Sequence, residues 1–323
     1  MNRPHFIVNA RPSGRRAASK MAVLRARVNQ AFPEGRWRLT SRAGEAAAMA
    51  RGAAEDGADI VVAVGGDGTI HEVVNGLMSA PGARPALGIV PAGSGSDFAR
   101  TLGLPHDPVA ALGVLRHGGT RRIDVGEIEC APLVASEGSR PVIRYFVNMA
   151  GCGASGRVVE RFARWRLAGA AGYGVAAALT ALDYRWPTVE VAFDKSPARH
   201  VRLNLLFVCN GEYCGGGMRV AEGASPDDGE LLVVEAGGVG RLRAVLQWPE
   251  LYFGGLHRVR GVRVNRAREV VVTGPGDVLV DADGELLGRL PVAYRIVPDA
   301  LDVCVPTSWI AGCASRSQAG ASG

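Results

Sequence analysis

The chain lacks the cysteine and histidine patterns that mark metal-binding or disulfide-rich proteins. Its six cysteines form no CxxC pair, and its six histidines show no HExxH or other ligand spacing. Four of the cysteines lie within or beside apolar runs, as buried free thiols do. We therefore expect reduced core cysteines and no zinc or iron site.

Long apolar segments are also missing. The N-terminal segment MNRPHFIVNARPSG has only a very short apolar stretch and no cleavage-like site, so it does not resemble a secretory signal. The longest uncharged run, 167–182, is mostly Ala and Gly and is too short to span a membrane. We expect a cytoplasmic protein that contacts a membrane, if at all, from its surface.

Charge of one sign is only slightly in excess. The chain has 37 Lys and Arg against 31 Asp and Glu, a formal charge of +6. A mild basic excess favours anionic partners such as nucleotide phosphates, nucleic acid or an acidic membrane surface. No recognised nucleic-acid-binding module accompanies it, so we expect no nucleic-acid partner.

The first part of the chain alternates strand-like and helix-like segments. Runs rich in β-branched residues are followed by Gly-containing turns and then by segments with helical spacing. This rhythm indicates an open parallel α/β sheet with helices on both faces. The predicted strands are His5–Asn9, Trp37–Thr40, Asp59–Val64 and Ala86–Val90, and the predicted helices are Arg15–Phe32, Gly44–Gly57 and Thr69–Ser79.

After about Ile123 the pattern changes to successive short strands, the first of them at Arg144–Met149, interrupted by one helical insertion, Val158–Tyr184. Short strands separated by turn residues indicate an antiparallel β-sandwich or barrel. We predict an N-terminal α/β domain, 1–124, and a β-rich domain, 125–296. A last strand at about 297–306 could return to the first domain, and the polar tail 311–323 is predicted to be disordered.

The most informative motif is Gly65-Gly66-Asp67-Gly68-Thr69, which follows a buried-type strand and precedes a helix. Glycines at such a turn let backbone N–H groups approach phosphate oxygens, and the helix N-terminus adds partial positive charge. The motif is neither a Walker A loop nor GxGxxG. An acid inside a phosphate loop would repel the phosphates unless a metal or a substrate hydroxyl used it. The alternative is a tight turn with an aspartate N-cap.

Two further polar turns follow neighbouring predicted strands. The segment Pro91–Arg100 reads PAGSGSDFAR, with hydroxyls at Ser94 and Ser96, and the segment Asn9–Gly14 follows the first strand. Ligands bind at the carboxyl ends of the strands in open α/β sheets. Three such turns therefore predict one nucleotide site.

The chain also contains a set of longer motifs in a fixed order between residue 7 and about residue 306. They are VNARPSG, TSRAGEA, GGDGTIHEVVNGL, IVPAGSGSDFARTLGLP, NMAGCGASGRVVE, NGEYCGGGMRVAEGASPDDGELLVV and DADGELLGRLP. Together they resemble the catalytic domain of the diacylglycerol-kinase superfamily, and most of all its bacterial soluble lipid kinases. The resemblance implies a phosphofructokinase-like or NAD-kinase-like N-terminal domain, a C-terminal antiparallel β-sandwich, and ATP-dependent phosphorylation of a lipid hydroxyl, diacylglycerol-like or sphingoid.

The resemblance implies an ATP site around the GGDGT loop. Asp67 would position Mg²⁺–ATP and is counted with the catalytic residues. The other implied nucleotide-binding residues lie in or beside the three turns: Asn9, Ser13, Gly14, Thr40, Gly65, Gly66, Gly68, Thr69, Ser94 and Gly95.

A second, structural Mg²⁺ is implied in the SPDDGEL turn. The matching residues are Ser225, Asp228 and Glu230, with a carboxylate from Asp228 and backbone oxygens from the other two. An acidic, Gly-containing turn also suits a hard cation on chemical grounds. A hairpin turn capped by Asp227 and Asp228 explains the same residues equally well.

The DGE segment supplies the implied general base. Phosphoryl transfer to an alcohol needs a carboxylate that orients the hydroxyl and takes its proton. The resemblance gives this role to Asp283-Gly284-Glu285, with Glu285 preferred and Asp283 the second candidate. Without the resemblance, DADGE is an ordinary acidic turn.

The segment 157–186 combines arginines and tryptophans with an Ala/Gly-rich apolar stretch. This composition suits peripheral contact with an anionic membrane surface, on the inner face of the membrane. A core-packing helix with a solvated basic start is the competing explanation. A membrane lipid is the expected substrate, and a homodimer is compatible with the sequence.

Two alternatives to a lipid kinase remain. One is a kinase of a soluble substrate such as a dinucleotide, and the other is a non-catalytic lipid-binding protein of the same fold. The intact acids Asp67, Asp228, Asp283 and Glu285 argue against a decayed site. The acceptor lipid itself is not specified by these motifs.

Overall fold

The structure, a computed structural model, describes residues 3–9, 15–93, 95–134, 136, 138–165, 169–237 and 261–310. It divides into two compact units, and we refer to residues 1–123 with 300–323 as unit 1 and to residues 124–299 as unit 2. The domain boundaries predicted at 124 and about 297 lie close to these. The tail 311–323 lies outside the described residues.

Unit 1 is a parallel sheet with helices between its strands. The strand order is β2-β1-β3-β4-β16, and each neighbouring pair is parallel. The predicted open α/β sheet is therefore confirmed. In chain order the elements are β1 (Pro4–Asn9), α1 (Arg15–Ala31), β2 (Arg36–Thr40), α2 (Glu45–Glu55), β3 (Ile60–Gly65), α3 (Asp67–Met78), β4 (Ala86–Pro91), α4 (Asp97–Thr101), α5 (Pro108–His117), the start of β5 (Gly119–Pro132) and the end of β16 (Glu285–Val305).

The central strands of this sheet are buried along their whole length. Strand β3 reads IVVAVG and every residue is buried, as expected where helices cover both faces of a parallel sheet. The register aligns the strand ends: Asn9 lies opposite Thr40, and Gly65 lies opposite Pro91. The strands that precede the three turns predicted to bind nucleotide, β1, β3 and β4, therefore end at the same edge of the sheet, and residues 10–14 of the first turn lie outside the described residues.

Unit 2 is built almost entirely from antiparallel strands. Its elements are the rest of β5, β6 (Val142–Phe146), β7 (Met149–Gly153), α6 (Ala154–Arg164), α7 (Gly169–Asp183), β8 (Thr188–Phe193), β9 (Arg199–Cys209), β10 (Tyr213–Cys214), β11 (Met218–Arg219), β12 (Leu231–Gly237), β13 (Val262–Ala267), β14 (Glu269–Thr273), β15 (Leu279–Ala282) and the first part of β16.

Six of these strands pair in a closed ring. Strand β8 pairs with β9, β9 with β7, β7 with β15, β15 with β16, β16 with β14, and β14 with β8, all antiparallel. The predicted antiparallel β domain is confirmed, and the ring gives it the character of a barrel. Closure satisfies strand edges that an open sheet would leave exposed. Val191, Leu206, Val280 and Tyr294 belong to its buried core.

Two sequence-based boundaries in unit 2 are wrong. The single insertion predicted at Val158–Tyr184 is two helices, α6 and α7, which pack through Phe162 and Tyr173 with ring centroids 5.9 Å apart. The single strand predicted at Arg144–Met149 is the end of β6 and the start of β7. No described helix has the length and apolar character required to cross a membrane.

Candidate functional site

The two glycine loops of unit 1 lie in direct contact. A Cβ on Gly93 would overlap Gly66 Cα and lie 2.9 Å from the Gly66 nitrogen. A Cβ on Gly65 would lie 2.7 Å from Thr69 Cβ. The N–H of Ala92 donates to the carbonyl of Gly65 at 2.9 Å. The junction therefore excludes side chains and presents backbone at the carboxyl edge of the sheet.

Asp67 joins the GGDGT loop to the second loop. Its Oδ2 accepts the N–H of Asp97 and its Oδ1 accepts the N–H of Phe98, both at 3.2 Å. These N–H groups belong to the first turn of α4 and have no partner within that helix. Gly95 leaves the room, since a Cβ there would lie 2.9 Å from Asp67 Oδ2. Asp67 thus caps the neighbouring helix, and its predicted contact with Mg²⁺–ATP stays a prediction.

Two other predicted residues connect β1 to the GGDGT loop and β2 to β1. The side-chain amide of Asn9 donates to Thr69 Oγ1 at 3.3 Å, and the hydroxyl of Thr40 donates to the carbonyl of Val8 at 3.4 Å. These contacts bring the ends of β1, β2 and β3 together. The predicted residues Ser13, Gly14 and Ser94 lie outside the described residues.

Glu72 was not among the residues predicted to belong to the site. Its carboxylate accepts the N–H of Gly44 at 2.8 Å and the N–H of Ala46 at 3.0 Å, so it holds the start of α2. Gly44 has φ 82, a conformation that favours glycine. One indication of a role for these residues was present in the sequence. Glu72 lies within the motif GGDGTIHEVVNGL, and Gly44 lies within the motif TSRAGEA.

In unit 2 the DGE segment forms the tip of the hairpin between β15 and β16. Ala282 pairs with Glu285, so Asp283 and Gly284 make a two-residue loop, with φ 48 and φ 82. Asp-Gly with positive φ at both positions is the preferred chemistry of a type I′ turn, whose twist matches the flanking strands. Glu285 is therefore the first residue of β16, and it is exposed.

The Asp283 carboxylate binds backbone. Its Oδ1 accepts the N–H groups of Asn148 at 3.1 Å and Met149 at 3.0 Å, and its Oδ2 accepts the N–H of Val147 at 3.2 Å. These bonds draw the backbone at Val147 and Asn148 toward Asp283, which explains why β6 and β7 are separate strands. Of the two candidate bases, Asp283 holds the hairpin in place, while Glu285 is presented to solvent.

A second buried aspartate lies two residues before the hairpin tip. Asp281 is 6% exposed, and its Oδ1 accepts the hydroxyl of Ser155 at 2.7 Å. Burial raises the pKa of Asp281 to about 6, and the neighbouring charge of Asp283 acts in the same direction. Asp281 was not among the predicted site residues, because the burial that shifts its pKa is not a local property of the sequence.

The residues predicted to hold a structural Mg²⁺ have other partners. The hydroxyl of Ser225 donates to Asp227 Oδ1 at 2.6 Å, and Asp228 Oδ2 lies 2.6 Å from Arg266 Nη1. Among the residues that the structure describes, no three His, Cys, Asp or Glu side chains are grouped to hold a metal. The carboxylate of the turn is neutralised by a guanidinium, so these contacts do not fit a resident Mg²⁺.

Comparison with known families gives two matches that follow each other along the chain. Residues 3–128 match the diacylglycerol kinase catalytic domain. Residues 148–305 match the YegS C-terminal NAD kinase beta sandwich-like domain. The chain therefore combines a diacylglycerol kinase catalytic domain with a YegS C-terminal domain. The expectation of a lipid kinase, a phosphotransferase, is thereby confirmed at the level of the family.

Individual relatives carry consistent names. A YegS-like lipid kinase of Chromohalobacter salexigens is 39% identical over 202 residues, which cover 61% of this chain and 60% of that protein. A diacylglycerol kinase of Staphylococcus saprophyticus is 28% identical over 281 residues, 83% of each chain.

Solved structures share the fold of this chain. A diacylglycerol kinase from Bacillus anthracis str. Sterne has a TM-score of 0.72 at 21% identity and covers 95% of this chain and 98% of its own. Yeast NADH kinase has a TM-score of 0.56 at 11% identity and covers 96% and 86%. At such identities the likeness establishes the fold alone.

The loop contact predicts that Gly93→Ala destabilises the chain. The added methyl group would meet the backbone of Gly66, which cannot move away as a flexible side chain could. We expect a loss of about 1–3 kcal/mol of stability, measured by urea or thermal denaturation. The matched control is Gly113→Ala in α5, where nothing lies within 4 Å. Equal stability of the two variants would contradict the close loop contact.

The raised pKa of Asp281 predicts that this residue destabilises the fold as the pH rises. Below the ordinary carboxyl pKa both the folded and unfolded states are protonated, and the contribution of the neutral acid is fully present. This contribution is lost as the pH rises through about 6, the folded-state pKa. Asp281→Asn keeps an acceptor for Ser155, so it should gain stability over wild type between about pH 4.5 and about pH 8, by up to about 3 kcal/mol.

Denaturation midpoints of wild type and Asp281→Asn, compared at about pH 4.5 and at about pH 8, measure this effect. Asp277→Asn, at an exposed position shortly before β15, is the matched control and should show no such pH-dependent gain. The same pH dependence in both variants would show that Asp281 is not the group responsible.

Proposed function

We propose that the chain transfers the γ-phosphoryl group of ATP to a hydroxyl group of a membrane lipid, diacylglycerol-like or sphingoid. The observation that carries the proposal is the contact of the two glycine loops at the carboxyl edge of the parallel sheet, capped by Asp67. Open α/β sheets bind ligands at this edge. The match of residues 3–128 to the diacylglycerol kinase catalytic domain supports this chemistry.

Unit 1 would hold the nucleotide. Gly66 and Gly68 precede and open α3, where backbone N–H groups and the helix N-terminus favour phosphate oxygens. The absence of side chains at Gly65, Gly66 and Gly93 lets an anion approach the backbone closely. Mg²⁺ would arrive as Mg²⁺–ATP and neutralise charge on the β- and γ-phosphates. Asp67 acts in this proposal by holding the two loops together.

Unit 2 would activate the acceptor. Glu285 is exposed at the first position of β16, and we assign it the role of the base that takes the proton of the lipid hydroxyl. Asp283 is a positioning residue, because its carboxylate accepts three backbone N–H groups and fixes the hairpin that carries Glu285.

The exposed face of α7 supports a lipid substrate at a membrane surface. Val175, Leu179 and Leu182 recur at i, i+4 and i+7 and are 51%, 40% and 53% exposed. The opposite face is buried, with Ala176 and Ala177 in contact with α6. An interfacial helix needs such an apolar face on its membrane side.

Cationic and aromatic residues lie next to this face. Arg164 and Trp165 are exposed at the end of α6, and Arg185 is exposed just after α7. A cavity of about 460 Å³ beside them is lined by Arg157, Arg161, Asp183, Tyr184, Arg185, Trp186, Pro187, Pro275, Asp277 and Val278. Exposed arginines and tryptophans beside an apolar face suit an anionic bilayer, on the inner face of the membrane.

Substitution of Glu285 should separate catalysis from stability. We expect Glu285→Gln to lower kcat by about 100-fold or more, because a neutral amide cannot take the proton, while the melting temperature stays near wild type. In Asp283→Asn, an amide N–H group would face the backbone N–H groups that the Asp283 carboxylate accepts. This variant should therefore have a lower melting temperature than wild type, in addition to reduced activity. The assay is transfer of labelled phosphate from Mg²⁺–ATP to lipids in mixed micelles.

The same assay tests the alternatives. A panel of diacylglycerol, sphingoid and phosphatidylglycerol acceptors is run beside nicotinamide dinucleotides. Labelling of a lipid that Glu285→Gln abolishes supports the proposal. Labelling of a dinucleotide alone would overturn the lipid assignment. ATP binding with no labelled product would favour a non-catalytic lipid-binding protein.

The apolar face of α7 predicts a second phenotype. The double variant Val175→Asp, Leu179→Asp should bind vesicles containing phosphatidylglycerol roughly ten-fold more weakly, because two apolar side chains no longer enter the bilayer interface. Vesicle sedimentation measures the binding. The matched control is Val23→Asp on α1, where the valine is 54% exposed. An equal loss in the control, or no loss in the double variant, would contradict membrane contact through α7.

A further inference from the structure

The SPDDGEL turn is bridged by an arginine from a neighbouring strand. Arg266 Nη1 lies 2.6 Å from Asp228 Oδ2, and Arg266 Nη2 donates to the carbonyl of Gly223 at 2.7 Å. Glu230 Oε2 lies 3.8 Å from the same guanidinium. One cation therefore contacts a carboxylate, a backbone carbonyl and a second acid, which is the kind of oxygen set that a divalent metal would gather.

Strand pairing brings the arginine to this place. Strand β12 begins at Leu231, directly after the turn, and Leu232 pairs with Arg266 on β13. An arginine at this register reaches back along β12 toward the turn. The guanidinium is planar and offers several donors in a fixed geometry, so it can bridge two acceptors at once.

Two further polar groups of the turn are bonded within the protein. Asp228 Oδ1 accepts the N–H of Glu230 at 3.1 Å. The N–H of Gly229 donates to Asp124 Oδ2 at 2.7 Å, and Asp124 Oδ1 accepts the N–H of Asp299 at 2.9 Å. Asp124 is 3% exposed, so the turn is attached to a buried carboxylate.

We propose that Arg266 is a built-in cation that replaces a structural Mg²⁺ in the SPDDGEL turn of this chain. A divalent ion at Asp228 Oδ2 would face the guanidinium at contact distance, and the two positive charges would repel. The turn therefore keeps its structure without a metal. Under the function proposed above, on which this consequence rests, the protein would need magnesium only for the ion that accompanies the nucleotide.

Thermal melting of the full chain without nucleotide tests the proposal. Wild type should melt within about 1 °C of the same temperature in EDTA and in excess MgCl₂, because the turn holds no metal site to be filled. Arg266→Ala should melt about 2–6 °C lower than wild type, since Asp228 and the Gly223 carbonyl lose their partner. The matched control is Arg263→Ala on the same strand, where the arginine is 70% exposed and its contact with Glu235 is 4.0 Å long.

Two results would overturn the proposal. A saturable rise of the wild-type melting temperature with Mg²⁺ alone, abolished by Asp228→Asn, would establish a metal in the turn and overturn the proposal. Equal melting of Arg266→Ala and Arg263→Ala would also overturn it. Should Arg266→Ala fail to fold, the wild-type titration decides, repeated by calorimetry with Mg²⁺ alone. Arg266→Lys keeps the charge but not the two-pronged contact. This variant should then fold and melt at a lower temperature than wild type.

Discussion

The contact between the two glycine loops of unit 1 is the constraint on which its candidate site depends. Gly66 and Gly93 approach until a Cβ on Gly93 has no place, so both loops must run as bare backbone. The parallel register brings them to one edge by aligning Gly65 with Pro91. Asp67 then satisfies the N–H groups of α4 that this approach turns inward.

Buried or half-buried carboxylates act as backbone clamps throughout the molecule. Asp67, Asp124 and Asp283 each accept two or three N–H groups from segments distant in sequence. An ionised carboxylate is a strong acceptor, so one side chain can fix a turn that no regular ladder holds. This use gives Asp67 and Asp283 a structural role in the turns that they occupy. Glu285 differs from them, because it is exposed at the start of a strand.

The two units offer different chemistry for the proposed reaction. Unit 1 supplies backbone and helix N-termini, which suit phosphate, and unit 2 supplies a carboxylate and an apolar helix face, which suit a lipid alcohol. The closed ring of strands in unit 2 provides a rigid support for the hairpin that carries Glu285. In the SPDDGEL turn of unit 2, the guanidinium of Arg266 supplies the positive charge that the sequence resemblance assigns to a metal ion.

Local patterns predicted much of this architecture. Runs of β-branched residues between Gly-containing turns predicted the parallel sheet, since each strand needs only its own residues to be buried on both faces. The dipeptide Asp283-Gly284 is a strong hairpin signal, because few other pairs tolerate positive φ at both positions. The order of the motifs indicated the family before any contact was known.

By itself, the sequence determined the two fold classes, the positions of the two glycine loops and the resemblance to the diacylglycerol kinase catalytic domain. Only the tertiary structure decided what each acid does. Asp283 reaches Val147 across 136 positions, Arg266 reaches Asp228 across 38, and burial by the barrel core raises the pKa of Asp281. Hydrogen bonding, charge pairing and desolvation depend on distances in space, and local periodicity carries no information about them.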